Sequence, residues 1–112
     1  MSDSNSKHLY DRAIKRLPGG VNSPVRAYQA VGRTPRFIQS AKGAHITDVD
    51  GNEMIDYVCS WGPGILGHAD PRVVKQVKKA CDEGLTYGAP TEREVEMAEL
   101  LAELVPSMDR NK

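Results

Sequence analysis

The chain has 112 residues and carries 15 Lys and Arg against 15 Asp and Glu, for a formal net charge of zero. That length bounds it to one domain at most with a modest core, and the dispersed basic residues, Lys78-Lys79 among them, make no nucleic-acid footprint. No apolar run is long enough to span a bilayer, and with aromatic residues at only 5% the core is expected to be mostly aliphatic.

Residues 1–7 are polar and lack the apolar region of a secretory signal. They also lack the length and Arg-rich, acid-poor character of a plastid leader. A first helix is expected over residues 6–17, where Leu9, Tyr10, Ala13, Ile14 and Leu17 share one face until Pro18-Gly19-Gly20 stops it. The loop that follows, Gly19-Gly20-Val21-Asn22-Ser23-Pro24-Val25-Arg26, reads as an anion site. Arg26 offers a planar fork of donors whose natural partner is a carboxylate or phosphate. Ser23 adds a hydroxyl, and Pro24 fixes φ between them, so less entropy is lost when both face one point. The plainer reading of the octapeptide is a surface Arg in a Gly/Pro loop.

Residues 36–58 read as short antiparallel strands, with Asp50-Gly51 a hairpin turn signal. Asp70 is placed to cap a second helix that has Pro71 at its first position, an apolar stripe of Val73, Val74, Val77, Ala80 and Cys81, and Gly84 at its end. Thr91 and Glu94 have the spacing of a capping box for a third helix, packed through Val95, Ala98, Ala102 and Val105 and closed by Pro106. The fold class is therefore α+β, with short antiparallel strands and about three helices.

Several motifs are weighed and set aside. Gly62-Pro63-Gly64-Ile65-Leu66-Gly67 satisfies G-x-G-x-x-G, but a dinucleotide site needs its helix to start within the motif, and His68-Ala69-Asp70-Pro71 intervenes. Counting Asp48 as the first ligand of a calcium loop puts Glu53 at the glycine position and Cys59 at the bidentate Glu position, so a turn remains. Cys59 and Cys81 fit neither a metal motif nor a disulfide framework; their apolar neighbours suggest buried free thiols in a reducing cytosol. His68 lies in a turn with no carboxylate at a telling spacing, and turn hydrogen bonding is its expected role. His8 and His45 read as structural or solvated. No metal site is expected. Trp61, the only tryptophan, is either a core anchor or, because Gly62-Pro63-Gly64 cannot continue a strand, a residue where the sheet ends.

Thr34-Pro35, Gly43-Ala44, Asp48-Val49-Asp50-Gly51-Asn52-Glu53, Ile55-Asp56-Tyr57, Ser60-Trp61-Gly62-Pro63, Ile65-Leu66-Gly67-His68 and Gly88-Ala89-Pro90-Thr91-Glu92 follow the Asn22-Ser23-Pro24-Val25-Arg26 loop in order. From about His8 to Asp109 this set resembles the amino-terminal part of the glutamate-1-semialdehyde 2,1-aminomutases. The Asp-Gly hairpin and Gly-His turn are shared with the wider class-III aminotransferases, whereas Asn-Ser-Pro-Val-Arg and Ser-Trp-Gly-Pro are more particular to the aminomutases.

The resemblance implies the amino-terminal part of a fold type I pyridoxal-phosphate transferase. Residues 1–112 would form one segment, a small-domain portion with its connecting helices. It implies a cytoplasmic homodimer converting glutamate 1-semialdehyde to 5-aminolevulinate in tetrapyrrole synthesis. Ser23 and Arg26 would bind the substrate carboxylate, Trp61 would wall the pocket, and no catalytic, metal or cofactor-binding residue is assigned to this chain. The cofactor-binding large domain, with its phosphate-binding turn and Schiff-base lysine, would follow Pro106. Arg110-Asn111-Lys112 does not look like that continuation, so a truncated, inactive product is expected. Gly64 replaces a bulkier residue and is expected to loosen the loop after Trp61. Tyr87-Gly88-Ala89-Pro90-Thr91 is a rigid turn that related aminotransferases place near the dimer interface and cofactor. Two other readings are a different class-III aminotransferase, acting on ornithine-like amines, which would not share the Ser23/Arg26 loop, and a non-catalytic remnant or interaction module pairing with a full-length subunit through its apolar helix faces.

Overall fold

In the computed structural model, residues 2–105 and 107–108 are described. Pro106, the expected stop of the third helix, Asp109 and the Arg110-Asn111-Lys112 terminus lie outside the described residues. The chain divides into two compact units, Met1–Lys75 and Gln76–Lys112.

The first unit opens with α1, Ser4–Ala13, shifted from the expected 6–17. Its start is set by a residue far along the chain. Asp50 Oδ1 accepts the Asn5 N–H at 2.8 Å and Oδ2 accepts the Ser6 N–H at 3.0 Å, capping a helix whose own Asp3 makes no side-chain cap bond. Leu17 is already extended, as the residue before a proline prefers to be, so the helix ends early.

Three strands follow as one antiparallel sheet in chain order: β1 Ile38–Lys42, β2 His45–Asp48 and β3 Glu53–Ile55. Ala41 pairs with Ile46 and Ile46 with Met54, giving one half-buried apolar row. A bulge between Ile38 and Ser40 shifts the register at the start of β1. The Asp50-Gly51 turn lies where the sequence expects it, between β2 and β3.

The interior differs from the expected aliphatic core. Among the described residues the buried apolar side chains are Ala27, 3% exposed, and Pro35, and the fully buried side chains are Ser6 and Asp48. Asp48 survives burial because every face of its carboxylate is occupied. Oδ1 accepts the Asp50 N–H at 3.0 Å and the Asn52 N–H at 2.8 Å, while Oδ2 accepts Arg36 Nη1 at 2.6 Å and Asn52 Nδ2 at 2.8 Å. Burial pushes this carboxyl up, but the bonds from Asn52, Arg36 and Asp50 outweigh it and lower its pKa from 3.8 to about 2. A short chain with few apolar residues in its interior is thus organised around a satisfied polar knot.

The first turn of α2, Pro71–Glu83, closes this unit, with the Asp70 carboxylate accepting the Arg72 N–H at 2.9 Å. The second unit contains the rest of α2 and α3, Glu92–Leu104. Gly84 follows α2 directly, and the Tyr87 hydroxyl lies 2.9 Å from both the Glu83 and Gly84 carbonyls, supplying a donor to a helix end. Glu94 Oε2 reaches back to the Thr91 N–H at 2.6 Å and to the Thr91 hydroxyl at 3.0 Å, as the capping-box spacing requires. The expected packing faces are only partly covered. Ala98 and Ala102 are half-buried, whereas Val77, Val95 and Val105 are exposed. Cys59 and Cys81 are exposed rather than buried. Apolar neighbours in sequence do not bury a thiol when the helix face or turn that carries it is uncovered. No helix among the described residues is long and apolar enough to cross a membrane.

Candidate functional site

The 22–28 loop is a short turn of 3-10 type, Pro24–Ala27, seeded by Pro24 and closed by the Arg26 N–H donating to the Ser23 carbonyl at 2.9 Å. Ala27 is buried beneath it, and Tyr28, at φ 57°, reverses the chain. This leaves Arg26 exposed. Among the described residues no side chain or backbone carbonyl pairs with its guanidinium. Arg36, by contrast, is committed to Asp48 and to the Ser2 carbonyl at 3.1 Å.

Arg26 opens onto a cavity of about 620 Å³ within the first unit. It is lined by apolar side chains, including Phe37, Ile38, Ala41 and Ile46, and by Asn22, Tyr28, Asp56, Ser60, Trp61 and His68. Arg26 and Trp61, 35 positions apart, therefore line one space. Ser23 is half-buried and is not among the lining residues.

Trp61 is not a core anchor: it is 68% exposed. It lies beyond the end of the sheet, in a turn of 3-10 type, Cys59–Trp61, whose three residues have φ values of 50°, 53° and 66°. Such conformations cost non-glycine residues roughly 1–3 kcal/mol each and persist only where the surroundings impose them. Gly64 belongs to the same structure. A Cβ there would stand 2.9 Å from the Cys59 carbonyl oxygen, whose bond to the Gly64 N–H is 3.0 Å. Gly64 therefore tightens the Trp61 loop by letting two backbone segments meet, which corrects the expectation that it loosens it.

Sequence reasoning also missed the partner of His68. Its backbone pairs with Gly43 through two 2.8 Å bonds, the turn role expected of it, but Nε2 lies 2.6 Å from Asp56 Oδ2. The His68 contact pulls the Asp56 carboxyl down, helped by the Val58 N–H at 2.8 Å and the Cys59 N–H at 3.2 Å and opposed by burial. The twelve-residue spacing carries no periodic signal; only the return of the chain to Gly43 brings the pair together. His8 and His45 are exposed. Among the described residues no group of three or more His, Cys, Asp or Glu could hold a metal. The glycine motif is followed by α2 only at Pro71, so the helix does not begin within it.

A class-III aminotransferase family model matches residues 28–111, and the chain belongs to that family. Within it, the chain is 62% identical over 109 residues to the glutamate-1-semialdehyde 2,1-aminomutase of Acetivibrio thermocellus, covering 97% of this chain and 26% of that enzyme. The structure superposes on a transaminase with PLP bound at a TM-score of 0.82 and 40% identity, covering 92% of this chain and 24% of the other. It also matches the glutamate-1-semialdehyde aminomutase of Pseudomonas aeruginosa PAO1 at a TM-score of 0.79 and 26% identity, over 88% of this chain and 22% of that one. The α+β architecture is accordingly that of the amino-terminal part of a fold type I transferase. The chain spans about a quarter of the length of the curated relatives it matches.

Pyridoxal phosphate is the cofactor the family implies. The residues of this cavity do not fit it: among the described residues no lysine lines the space, Arg36 is already paired, and His68 is engaged by Asp56.

Proposed function

We propose that this chain is the amino-terminal segment, small-domain portion and connecting helices together, of a cytoplasmic, homodimeric glutamate-1-semialdehyde 2,1-aminomutase, and that Ser23, Arg26 and Trp61 serve its substrate. The reading is supported by the identity to named aminomutases, and the observation that carries it is the Arg26 guanidinium, unpaired among the described residues, on a cavity shared with Trp61. Glutamate 1-semialdehyde and 5-aminolevulinate are isomers that differ in which of two neighbouring carbons bears nitrogen, while the carboxylate is unchanged. A clamp on the carboxylate therefore holds the end that does not react.

Arg26 would take the carboxylate in a two-pronged, charge-assisted contact, and the Ser23 hydroxyl would donate to it once the loop closes on the ligand. Trp61 would cover the carbon chain and exclude water. Positioning of this kind contributes heavily to rate. Pyridoxal phosphate supplies the electron sink when bound, and its site belongs to parts of the whole enzyme outside this span, as does the Schiff-base lysine.

The test is Arg26→Lys in the full-length enzyme. Lysine keeps the charge and loses the fork, so the specificity constant should fall about tenfold to a hundredfold, roughly 1.5–3 kcal/mol, with the cofactor spectrum unchanged. Ser23→Ala should lose less, because it removes a neutral donor. An unaltered specificity constant in Arg26→Lys, or loss of cofactor instead, overturns the clamp.

A further inference from the structure

We propose that Asp56, tied to His68, is a positioning residue that holds Trp61 in place at the cavity. The functional weight of this rests on the reading of Trp61 as a pocket wall; the positioning itself rests on the geometry of the loop.

Both oxygens of the Asp56 carboxylate are used on the two ends of one loop. Oδ1 accepts the N–H groups of Val58 at 2.8 Å and Cys59 at 3.2 Å, the residue before the positive-φ run and its first member. Oδ2 meets His68 at 2.6 Å, on the far side of Trp61. The Asp56 N–H is itself fixed to the Ala44 carbonyl at 2.8 Å, and the His68 backbone to Gly43, so both anchors sit on the β1–β2 turn. Between them the Trp61 N–H donates to the Val58 carbonyl at 2.9 Å, and the Gly62 and Gly64 N–H groups both reach the Cys59 carbonyl at 3.0 Å.

Three consecutive non-glycine residues at positive φ relax unless something over-determines them. The Asp56 side chain is 9% exposed and His68 27%, whereas Trp61, between them, is open to the cavity. The half-buried pair is therefore the brace, and the exposed indole is what it presents. A carboxylate suits the site because it accepts on both oxygens, so the Val58 and Cys59 N–H groups share Oδ1 while a His68 Nε2–H finds Oδ2.

Trp61 is the only tryptophan of this chain, so its motion can be read directly by time-resolved fluorescence anisotropy. Asp56→Ala is expected to shift the loop about tenfold toward a freely wobbling indole, the loss expected on removing charge-assisted bonds. His68→Ala should move it in the same direction, and His68→Gln, which keeps a donor, should restore much of the constraint. Ile65→Ala, in the same loop but outside the brace, should leave the decay as in the parent. An unchanged decay in Asp56→Ala overturns the proposal. If far-UV circular dichroism shows that Asp56→Ala unfolds the unit, a folded His68→Ala with parental anisotropy overturns it instead.

The second arm separates this from the substrate reading. In a full-length enzyme carrying this span, Asp56→Ala and Trp61→Ala should be non-additive in kcat/KM, since one acts through the other. Additive losses overturn the positioning role. A Trp61→Ala enzyme with unaltered kcat/KM sinks the pocket-wall reading while the anisotropy result stands.

Discussion

The Arg36 guanidinium reaches the Asp48 carboxylate at 2.6 Å, and Asp48 has no exposed surface. Removing the charge from one partner leaves the other desolvated and unmatched, which is where buried pairs show their largest effects. Asp48→Asn should lower the thermal midpoint of the Met1–Lys75 unit by several degrees. Asp11→Asn, which breaks the exposed Lys7–Asp11 pair, should be nearly silent. Equal midpoints in the two variants would show that the polar knot is not what holds this unit together.

The same group sets an acid limit. The Asp48 carboxyl titrates at about 2 in the folded chain against 3.8 ordinarily. Its stabilising contribution is fully present above 3.8 and is lost as pH falls through the folded value, because in that window the unfolded chain binds more protons. Asp56, pulled down by His68, and Asp70, pulled down by Arg72, are lowered too and act in the same direction. Denaturant titrations at stepped pH should show stability falling on acidification below about 4, with a shallower fall in Asp48→Asn. Stability that rises on acidification would contradict these assignments.

Gly19 and Gly20 both have positive φ, 66° and 73°, but differ in what surrounds them. A Cβ on Gly20 would stand 2.6 Å from Tyr10 Cε2 and 3.2 Å from Ile14 Cγ1, whereas one on Gly19 would meet nothing within 4 Å. Gly19→Ala should cost about 1 kcal/mol from the backbone alone. Gly20→Ala should cost about 2–4 kcal/mol, because the Tyr10 ring on α1 must also move. Equal losses in chemical denaturation would mean that the ring yields freely.

Pyridoxal phosphate added to this 112-residue chain should give no specific internal-aldimine absorbance and no aminomutase activity. Among the described residues the lysines stand on exposed surfaces, and none lines the Arg26 cavity. Borohydride reduction followed by peptide mapping is the check. One lysine trapped in preference to the others would overturn the assignment of the cofactor site to regions outside this span.

Features whose partners are close in sequence were legible before the fold was known. Asp50-Gly51 makes its turn, Asp70 and Gly84 bound α2, and Glu94 reaches back to Thr91, because each needs only a few neighbouring residues in the right order. The Ser23–Arg26 loop and the position of Trp61 beyond the sheet were legible for the same reason. Tertiary structure decided the rest. Asp50 caps a helix 45 positions away, Arg36 neutralises a buried Asp48, and His68 meets Asp56 across a loop of left-handed residues. These contacts depend on chain reversals whose geometry no local spacing encodes. The two cysteines read as buried are exposed, since burial is a property of what covers a face rather than of its sequence neighbours. Residue type and order determined the family, the elements and the chemistry offered at Arg26; only the folded chain determined which groups are already paired and which, like Arg26, have no protein partner among the described residues.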